Sequence, residues 1–271
     1  MSSTTALFGS LTLATACLGV WQVRRYFWKL DLLESRDASL RAEPVDVSRG
    51  ALVARSFSRV TLRGATADAT RIATVEPRVA PAEMPAPLAA LTRANAGRCI
   101  VMPLLRADGT RVLALAGWVP SDADADASAV AWARGLAAVD AVPIEGVVRD
   151  SETPGVWAVA HGGSATSGSD RDSVFAHIDV PGLAAVMGLD AARGDEVGAI
   201  IEVIRPFPDR ARGSPWPVTR QLAAMRDAYV APHTHLIYAG TWLTLATYGA
   251  LATAARFRGR SGVRSVERKM L

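Results

Sequence analysis

The side chains of this 271-residue chain with the most evident chemistry are a histidine and two aromatic residues near its C-terminus. His235, Tyr238 and Trp242 are spaced three and four positions apart, so on a helix they lie on roughly one face. A neutral imidazole is a common metal ligand, and an aromatic ring beside it can stack or hydrogen-bond. The alternative is structural, because His, Tyr and Trp are amphipathic and gather where a membrane meets water. The residues alone leave both interpretations open.

The element that must position these three side chains is the apolar segment 235–255. After its histidine it carries no charge, and its length of about 20 residues matches one helical crossing of a bilayer. Aromatic residues at its entry and three arginines at its exit, Arg256, Arg258 and Arg260, are typical of a membrane helix. We therefore predict a transmembrane helix over 235–255, followed by a basic tail over 256–271.

A second apolar segment, residues 4–23, lies near the start of the chain and is also free of charge. No Lys or Arg precedes it, whereas a secretory signal begins with a positively charged region. Trp21 and Gln22, followed by Arg24 and Arg25, form the aromatic and basic boundary that anchors a retained helix at an interface. We therefore predict a transmembrane helix over 4–23.

The distribution of positive charge predicts the orientation of both helices. The tail 256–271 holds six basic residues, more than flank the first apolar segment, and basic flanks stay on the cytoplasmic or matrix side. Both termini should therefore face that side. Residues 24–232 should lie on the other side, in the intermembrane space or periplasm. Topology thus accounts for the net charge of +4, and we expect no binding of nucleic acid.

The segment 24–232 is long enough to form a core of its own. Its clearest feature is a hairpin, in which Cys99–Leu105 and Arg111–Ala116 flank an Asp108-Gly109 turn. Alternating stretches predict further strands at 58–63, 71–76, 144–149 and 197–204, and helices are predicted at 26–41, 126–139 and 180–192. We expect an α+β membrane protein in which two transmembrane helices flank one β-rich antiparallel soluble domain with a few helices.

The sequence lacks the common motifs of catalysis. It has no glycine-rich phosphate loop, no GxSxG and no HExxH. Its two cysteines, Cys17 and Cys99, form no CxxC or CxxxC pair, which excludes thiol-based copper delivery and disulfide exchange. We therefore expect that the chain is not an enzyme. A membrane-tethered enzyme is the alternative, although no nucleophile–base pair supports it.

Five short motifs, which occur in order between and within the two apolar segments, resemble the surfeit locus protein 1 family. The motifs are Gly19-Val-Trp-Gln-Val-Arg-Arg25 with Trp28-Lys-Leu30 and Arg36, Val60-Thr-Leu-Arg-Gly64, Gly117-Trp-Val-Pro120, Glu145-Gly-Val-Val-Arg-Asp-Ser-Glu152, and His235-Leu-Ile-Tyr238 with Thr241-Trp242. The last three resemble the RGWVP, GxxRxxE and HLQYxxTW motifs of the family. The sequence departs from the pattern in two places: Ala116 replaces an arginine, and residues 231–234 replace an Arg-Asn-Glu sequence.

The resemblance implies that the chain is an assembly factor for cytochrome c oxidase, respiratory complex IV. Its expected partners are oxidase subunits or assembly intermediates, besides membrane lipid. The expected location is the mitochondrial inner membrane as a multi-pass protein, with the bacterial plasma membrane as the alternative. A permanent structural subunit of the oxidase is the alternative function.

The same resemblance implies roles for seven residues. Bacterial relatives are associated with haem a, so His235 is a candidate ligand of the haem iron, with Tyr238 and Trp242 beside a transiently bound haem a. The candidates for partner contact are Gly117, Trp118, Arg149 and Glu152. For these four residues the alternative is structural, because a tryptophan beside a strand end is usually core and an arginine near a glutamate usually holds a loop.

Overall fold

The computed structural model describes residues 3–52, 54–66, 71–82, 84, 86, 89, 96–121, 142–153, 166–167, 172–205, 216–226 and 230–267. The chain divides into two compact units. One unit consists of Met1–Ser35 with Asp227–Leu271, and it is dominated by one long helix from each end of the chain. The other unit, Arg36–Arg226, contains the strands.

The first helix, α1, runs over Ser3–Arg41 and continues well beyond the apolar segment 4–23. The predicted helix over 26–41 is thus confirmed as the second half of one continuous helix. The chain leaves the helical conformation before Pro44, since proline disfavours helical backbone in the residue that precedes it. The last helix runs over Pro232–Glu267 and starts with a proline, whose missing N–H costs nothing in a first turn.

One helix among the described residues is long and apolar enough to cross a membrane, over Ala6–Arg41. The helix over Pro232–Glu267 does not reach this level of apolarity, so the predicted transmembrane helix 235–255 is not established by composition. The reason lies in its threonines and glycines, such as Gly240 and Thr241, which dilute its leucine and alanine content.

The described strands of the second unit form one nine-stranded sheet. They are β1 (Val45–Asp46), β2 (Arg59–Thr66), β3 (Ile72–Val79), β4 (Ala96–Arg106), β5 (Arg111–Pro120), β6 (Val142–Arg149), β7 (Thr166–Ser167), β8 (Asp172–Phe175) and β9 (Ile200–Val203). Their spatial order is β1-β2-β6-β9-β5-β4-β3-β8-β7, with an additional pairing of β2 with β4. That pairing closes β2, β6, β9, β5 and β4 into a barrel, which leaves these five strands without a free edge.

The sheet is mixed, which corrects the expectation of an antiparallel domain. Three pairings are parallel, namely β1 with β2, β3 with β8, and β5 with β9. Strand β9 lies between β5 and β6, and it is antiparallel to β6. It reaches this position after a long connection that includes a short helix, α2 (Val180–Val186), and parallel neighbours require such connections. Alternating sequence patterns predict a strand, but they do not predict its neighbours.

The individual elements agree closely with the sequence patterns. The strands predicted at 58–63, 71–76, 144–149 and 197–204 correspond to β2, β3, β6 and β9, and the hairpin to β4 and β5. The helix predicted over 180–192 is shorter, because it ends before Gly188, which has a φ of 66°. A separate 3-10 turn follows at Ala191–Arg193. The helix predicted over 126–139 lies outside the described residues.

Two large clusters of buried apolar side chains lie on opposite faces of the sheet. The first draws residues from all five barrel strands, including Leu62, Met102 and Ile201, and fills the barrel. The second packs the outer face of β4, β5 and β9 against Leu183 and its neighbours on α2. Because β5 is buried on both faces, its sequence is almost continuously apolar instead of alternating. A third, small cluster packs the end of α1 against β6 through Leu40, Val147 and Met225.

Candidate functional site

The first candidate site lies between the two helices of the first unit, where a histidine meets a glutamine. His235 lies near the start of the C-terminal helix Pro232–Glu267, which is called α3 below. Its Nδ1 atom lies 2.8 Å from Oε1 of Gln22 on α1. An amide oxygen only accepts, so this contact is a hydrogen bond when Nδ1 carries the proton. Sequence analysis did not identify Gln22 as the partner, because the two residues are 213 positions apart and only the fold brings them together.

The two aromatic residues predicted beside His235 also lie on α3. Tyr238 is 53% exposed, and Trp242 is partly buried. Both rings therefore remain accessible from outside the helix pair. The geometry is compatible with either predicted role, a platform beside a bound group or an anchor at a membrane surface.

The two helices approach each other closely through small residues. A Cβ atom added to Gly19 would lie 2.6 Å from Cδ2 of Leu243, and one added to Gly249 would overlap the hydroxyl of Thr12. Thr12 lies opposite Gly249, and Gly19, further along α1, lies opposite Leu243, which is earlier in α3. The two helices are therefore antiparallel. Glycine at these two positions permits the close backbone approach that is common between membrane helices.

The helix pair has small residues in its seam and large apolar residues on its outside. Thr15, Ala239 and Ala246 are among the buried residues of the two helices. The large apolar side chains that are exposed include Leu7, Phe8, Leu11, Leu13, Leu18, Leu236, Ile237, Leu245 and Leu251. In water this arrangement would be unfavourable, because the large side chains gain the most from burial. In a bilayer it is the expected arrangement.

Several threonine hydroxyls on the two helices form hydrogen bonds within their own helix. Thr12 Oγ1 donates to the carbonyl of Phe8 at 2.8 Å, and Thr247 Oγ1 donates to the carbonyl of Leu243 at 2.8 Å. Thr241 makes the same bond one turn back, at 3.1 Å. A hydroxyl without a partner is costly in hydrocarbon, so these bonds allow threonine to face an apolar environment.

The second candidate site surrounds the end of β6 and consists of two ion pairs. Arg149 Nη1 donates to Glu202 Oε2 at 2.5 Å, which links β6 to β9. Arg78 Nη2 donates to Glu152 Oε2 at 2.6 Å, which links β3 to the segment after β6. Glu152 also accepts from the backbone N–H of Ile178 at 3.0 Å. The structure thus places the predicted residues Arg149 and Glu152 in one site, and each of them has a different partner.

The charge states at this site follow from burial and hydrogen bonding. Burial raises the pKa of Glu152, but hydrogen bonds from Arg78 and from the Ile178 N–H outweigh it, so the pKa lies below its ordinary value. The carboxylate is therefore ionised at neutral pH. Burial raises the pKa of the neighbouring Cys99 thiol to about 12, so this thiol stays protonated and is a poor nucleophile.

Trp118 and Gly117 contribute to this site by position. Trp118 is 2% exposed, packs edge-on against Trp216 with ring centroids 5.9 Å apart, and donates its indole N–H to the carbonyl of Arg78 at 3.1 Å. Gly117 has a φ of 146°, and the carbonyl oxygen of Val218 lies 2.7 Å from where its Cβ would be. Only glycine fits there. Arg78 connects Trp118 to Glu152, and nothing in the local sequence indicated that role.

A phenylalanine ring lies against two guanidinium groups beside this site. The Cζ atom of Arg36 lies 4.0 Å from the ring centroid of Phe57, and that of Arg149 lies 5.1 Å from it. Phe57 has a φ of 67°, which is uncommon for a residue with a side chain. Its backbone N–H donates to the carbonyl of Val148 at 2.8 Å, which holds the ring beside β6.

Side chains alone form no metal-binding site in the part of the chain that the structure describes. No group of three or more His, Cys, Asp or Glu residues is found there that could hold a metal ion. A single imidazole, such as that of His235, suits an ion that already has most of its ligands. Iron in a porphyrin is such an ion, since it takes only axial ligands from the protein.

The fold and the two sites define a membrane protein with one candidate membrane helix and a sheet-rich domain. The sequence profile of the SURF1 family matches residues 10–247, and the chain belongs to this family. The family is associated with cytochrome c oxidase assembly. The chain is also similar to surfeit locus protein 1 of Arabidopsis thaliana. The two sequences are 25% identical over an alignment of 271 positions, which covers 84% of this chain and 70% of that protein. The resemblance predicted from the five motifs is confirmed.

Proposed function

We propose that this chain is a non-enzymatic assembly factor for cytochrome c oxidase that assists maturation of the haem-bearing core subunit. The observation that carries the proposal is membership of the SURF1 family over residues 10–247. The family is associated with assembly of this oxidase. The chemistry of the site at the end of β6 supports a role without catalysis. The Cys99 thiol is protonated there, and the charged side chains of Arg149 and Glu152 are held in ion pairs. Such groups suit binding better than covalent catalysis.

The chain crosses the membrane twice in this proposal, through α1 and through residues 235–255 of α3. The inverted packing of the helix pair supports the second crossing, since large apolar residues surround a seam of small ones. The basic tail 256–271 supports an orientation in which both termini face the matrix or cytoplasmic side. Residues 24–232 then lie in the intermembrane space of mitochondria, or in the periplasm if the chain is bacterial.

In this proposal His235 would hold haem a by ligating its iron. The residues present fit that role, because Nδ1 faces Gln22 at 2.8 Å and leaves Nε2 as the second ring nitrogen. Ligating histidines usually use their other ring N–H in this way. Haem, when bound, would supply the iron that the imidazole ligates. The exposed Tyr238 ring and the partly buried Trp242 would pack beside the macrocycle.

Contact with oxidase subunits or assembly intermediates is assigned to the site at the end of β6. The side chains of Arg149 and Glu152 are 17% and 29% exposed, so part of each can reach a partner. Trp118 supports that surface, since its indole N–H is bonded to the backbone carbonyl of Arg78. Gly117 supports it indirectly, because it lets the backbone at Val218 pack beside the same strand. A partner that bears complementary charge would extend the two ion pairs already present.

Native gel electrophoresis of membranes that contain the tagged chain tests the proposed function. We expect the chain to migrate with oxidase intermediates that lack late subunits, and to be absent from the mature oxidase. A strain without the chain should accumulate less assembled oxidase while other respiratory complexes stay at normal levels. Equal amounts of the chain and the mature oxidase in one complex would instead identify a permanent subunit.

A further inference from the structure

We infer that Gln22 is a positioning residue, which holds neutral His235 as the tautomer with its proton on Nδ1. The lone pair of the ring is then on Nε2, the nitrogen that can ligate a metal. Sequence analysis assigned Gln22 only to the boundary that anchors the first apolar segment at an interface. The consequence for haem rests on the proposed function, whereas the tautomer itself does not.

The contact between the two side chains carries the argument. A neutral imidazole has one N–H donor and one acceptor nitrogen, and which nitrogen holds the proton depends on what the other atoms offer. Gln22 offers Nδ1 an amide oxygen at 2.8 Å, which is within the ordinary range for a hydrogen bond. Because this oxygen cannot donate, the contact stabilises the proton on Nδ1 and disfavours the proton on Nε2.

The packing of the two helices holds Gln22 and His235 in this contact. Gly19 lies three residues before Gln22 on α1, and its close approach to Leu243 fixes the spacing of the two helices near His235. The contact is partly buried between the two helices. The hydrogen bond gives both polar groups a partner there, and a buried polar group without a partner is costly. The ring is therefore oriented as well as protonated on a defined nitrogen.

A fixed tautomer changes the ligand in two ways. It removes the need to move a proton before Nε2 can bind iron. It also raises the basicity of Nε2, because the N–H bond on the opposite side of the ring is polarised by the acceptor. Loss of such an outer partner typically weakens metal binding by about 10- to 100-fold. An ionised carboxylate in place of the amide should strengthen the effect and lower the midpoint potential of bound haem.

The first test measures the tautomer without any haem. The full chain is prepared in lipid nanodiscs with 15N-labelled histidine, and the ring signals of His235 are assigned by comparison with His235→Asn. We expect a protonated Nδ1 and an unprotonated Nε2 in the unaltered chain. In Gln22→Leu we expect a shift towards the form protonated on Nε2. A ring protonated on Nε2 in the unaltered chain, or one that does not change in Gln22→Leu, would overturn the inference.

The second test measures haem affinity and the midpoint potential of bound haem in the same nanodiscs. We expect Gln22→Leu to bind haem about 10- to 100-fold more weakly. Gln22→Glu should keep the affinity and lower the potential. The matched control is Thr12→Val, which removes a hydroxyl from the other end of the same helix seam. An equal loss of affinity in Thr12→Val would assign the effect to helix packing and refute a positioning role.

The two tests separate the inference from the proposed function. If the unaltered chain binds no haem, the proposed haem contact is wrong, while the 15N signals still decide the tautomer. If haem binds but neither affinity nor potential responds to Gln22, the haem contact stands and the positioning role is wrong.

Discussion

Substitution of Gly117 tests the geometry that supports the site at the end of β6. The backbone there has a φ of 146°, and the carbonyl oxygen of Val218 would lie 2.7 Å from an added Cβ atom. A methyl group in Gly117→Ala must therefore displace the segment that contains Val218. That segment is held to Trp118 by two backbone hydrogen bonds, each 2.8 Å long.

The expected cost follows from these contacts. A residue with a side chain that is held at a strained, positive φ costs about 1–3 kcal/mol. Loss of the two backbone hydrogen bonds adds about 1 kcal/mol each. We therefore expect Gly117→Ala to lower the free energy of unfolding by about 3–5 kcal/mol. Gly109 is the matched control, because it has a φ of 82° with nothing within 4 Å of its Cβ position. Gly109→Ala should cost only about 1–2 kcal/mol.

Urea unfolding of the full chain in detergent, followed by tryptophan fluorescence, measures both variants. The signal is suitable because Trp118 and Trp216 lie edge-on with centroids 5.9 Å apart, beside the altered residue. In cells, oxidase level should fall in Gly117→Ala in proportion to the level of the chain itself. A cost for Gly117→Ala no larger than that for Gly109→Ala would refute the close approach of Val218.

Three further predictions concern charge, helix packing and thiol reactivity. The pKa of Glu152 is depressed, so its ionised form stabilises the fold above the ordinary value of 4.5, and this contribution is lost as the pH falls through the depressed value. The difference in unfolding free energy between the unaltered chain and Glu152→Gln should accordingly be largest near neutral pH and vanish in acid; a difference that is independent of pH would contradict this. In a Cys17→Ser background, cysteines introduced by Gln22→Cys and His235→Cys should cross-link the two helices. Gly249→Leu should reduce the yield of this cross-link severalfold, whereas Gly240→Leu should not, because Gly240 has open space around it. Equal yields in the two variants would show that the helices do not pack at Gly249. Cys99, whose pKa is about 12, should react with iodoacetamide at neutral pH at least tenfold more slowly in the folded chain than in urea, and equal rates would show that it is not buried.

Local patterns in the sequence predicted most elements of the fold. The alternation in β2 and β6 and the Asp108-Gly109 turn indicated strands and a hairpin, because these features depend on neighbouring residues alone. The barrel could not be predicted in this way. Its closure depends on the pairing of β2 with β4 and on the insertion of β9 between β5 and β6, and both are long-range contacts.

The candidate sites show the same division. Sequence motifs identified His235, Arg149 and Glu152, but their partners lie far away in the chain. Gln22 and Arg78 emerged only when the fold brought them into hydrogen-bonding distance. The inward-facing small residues of α1 and α3 likewise became visible as a seam only in the packed pair, because each helix alone is apolar on most sides.

The central claim is tested most directly by measuring haem a absorbance in membranes. The membranes come from cells in which His235→Ala replaces the unaltered chain. The change removes the imidazole and leaves the apolar length of α3 intact, so the chain should still insert and accumulate to its normal level. His233→Ala, two residues earlier on the same helix, is the matched control and should leave absorbance unchanged. If this chain assists haem insertion through His235, the haem a absorbance should fall in His235→Ala while the level of the chain stays normal. Full absorbance in His235→Ala would contradict that role.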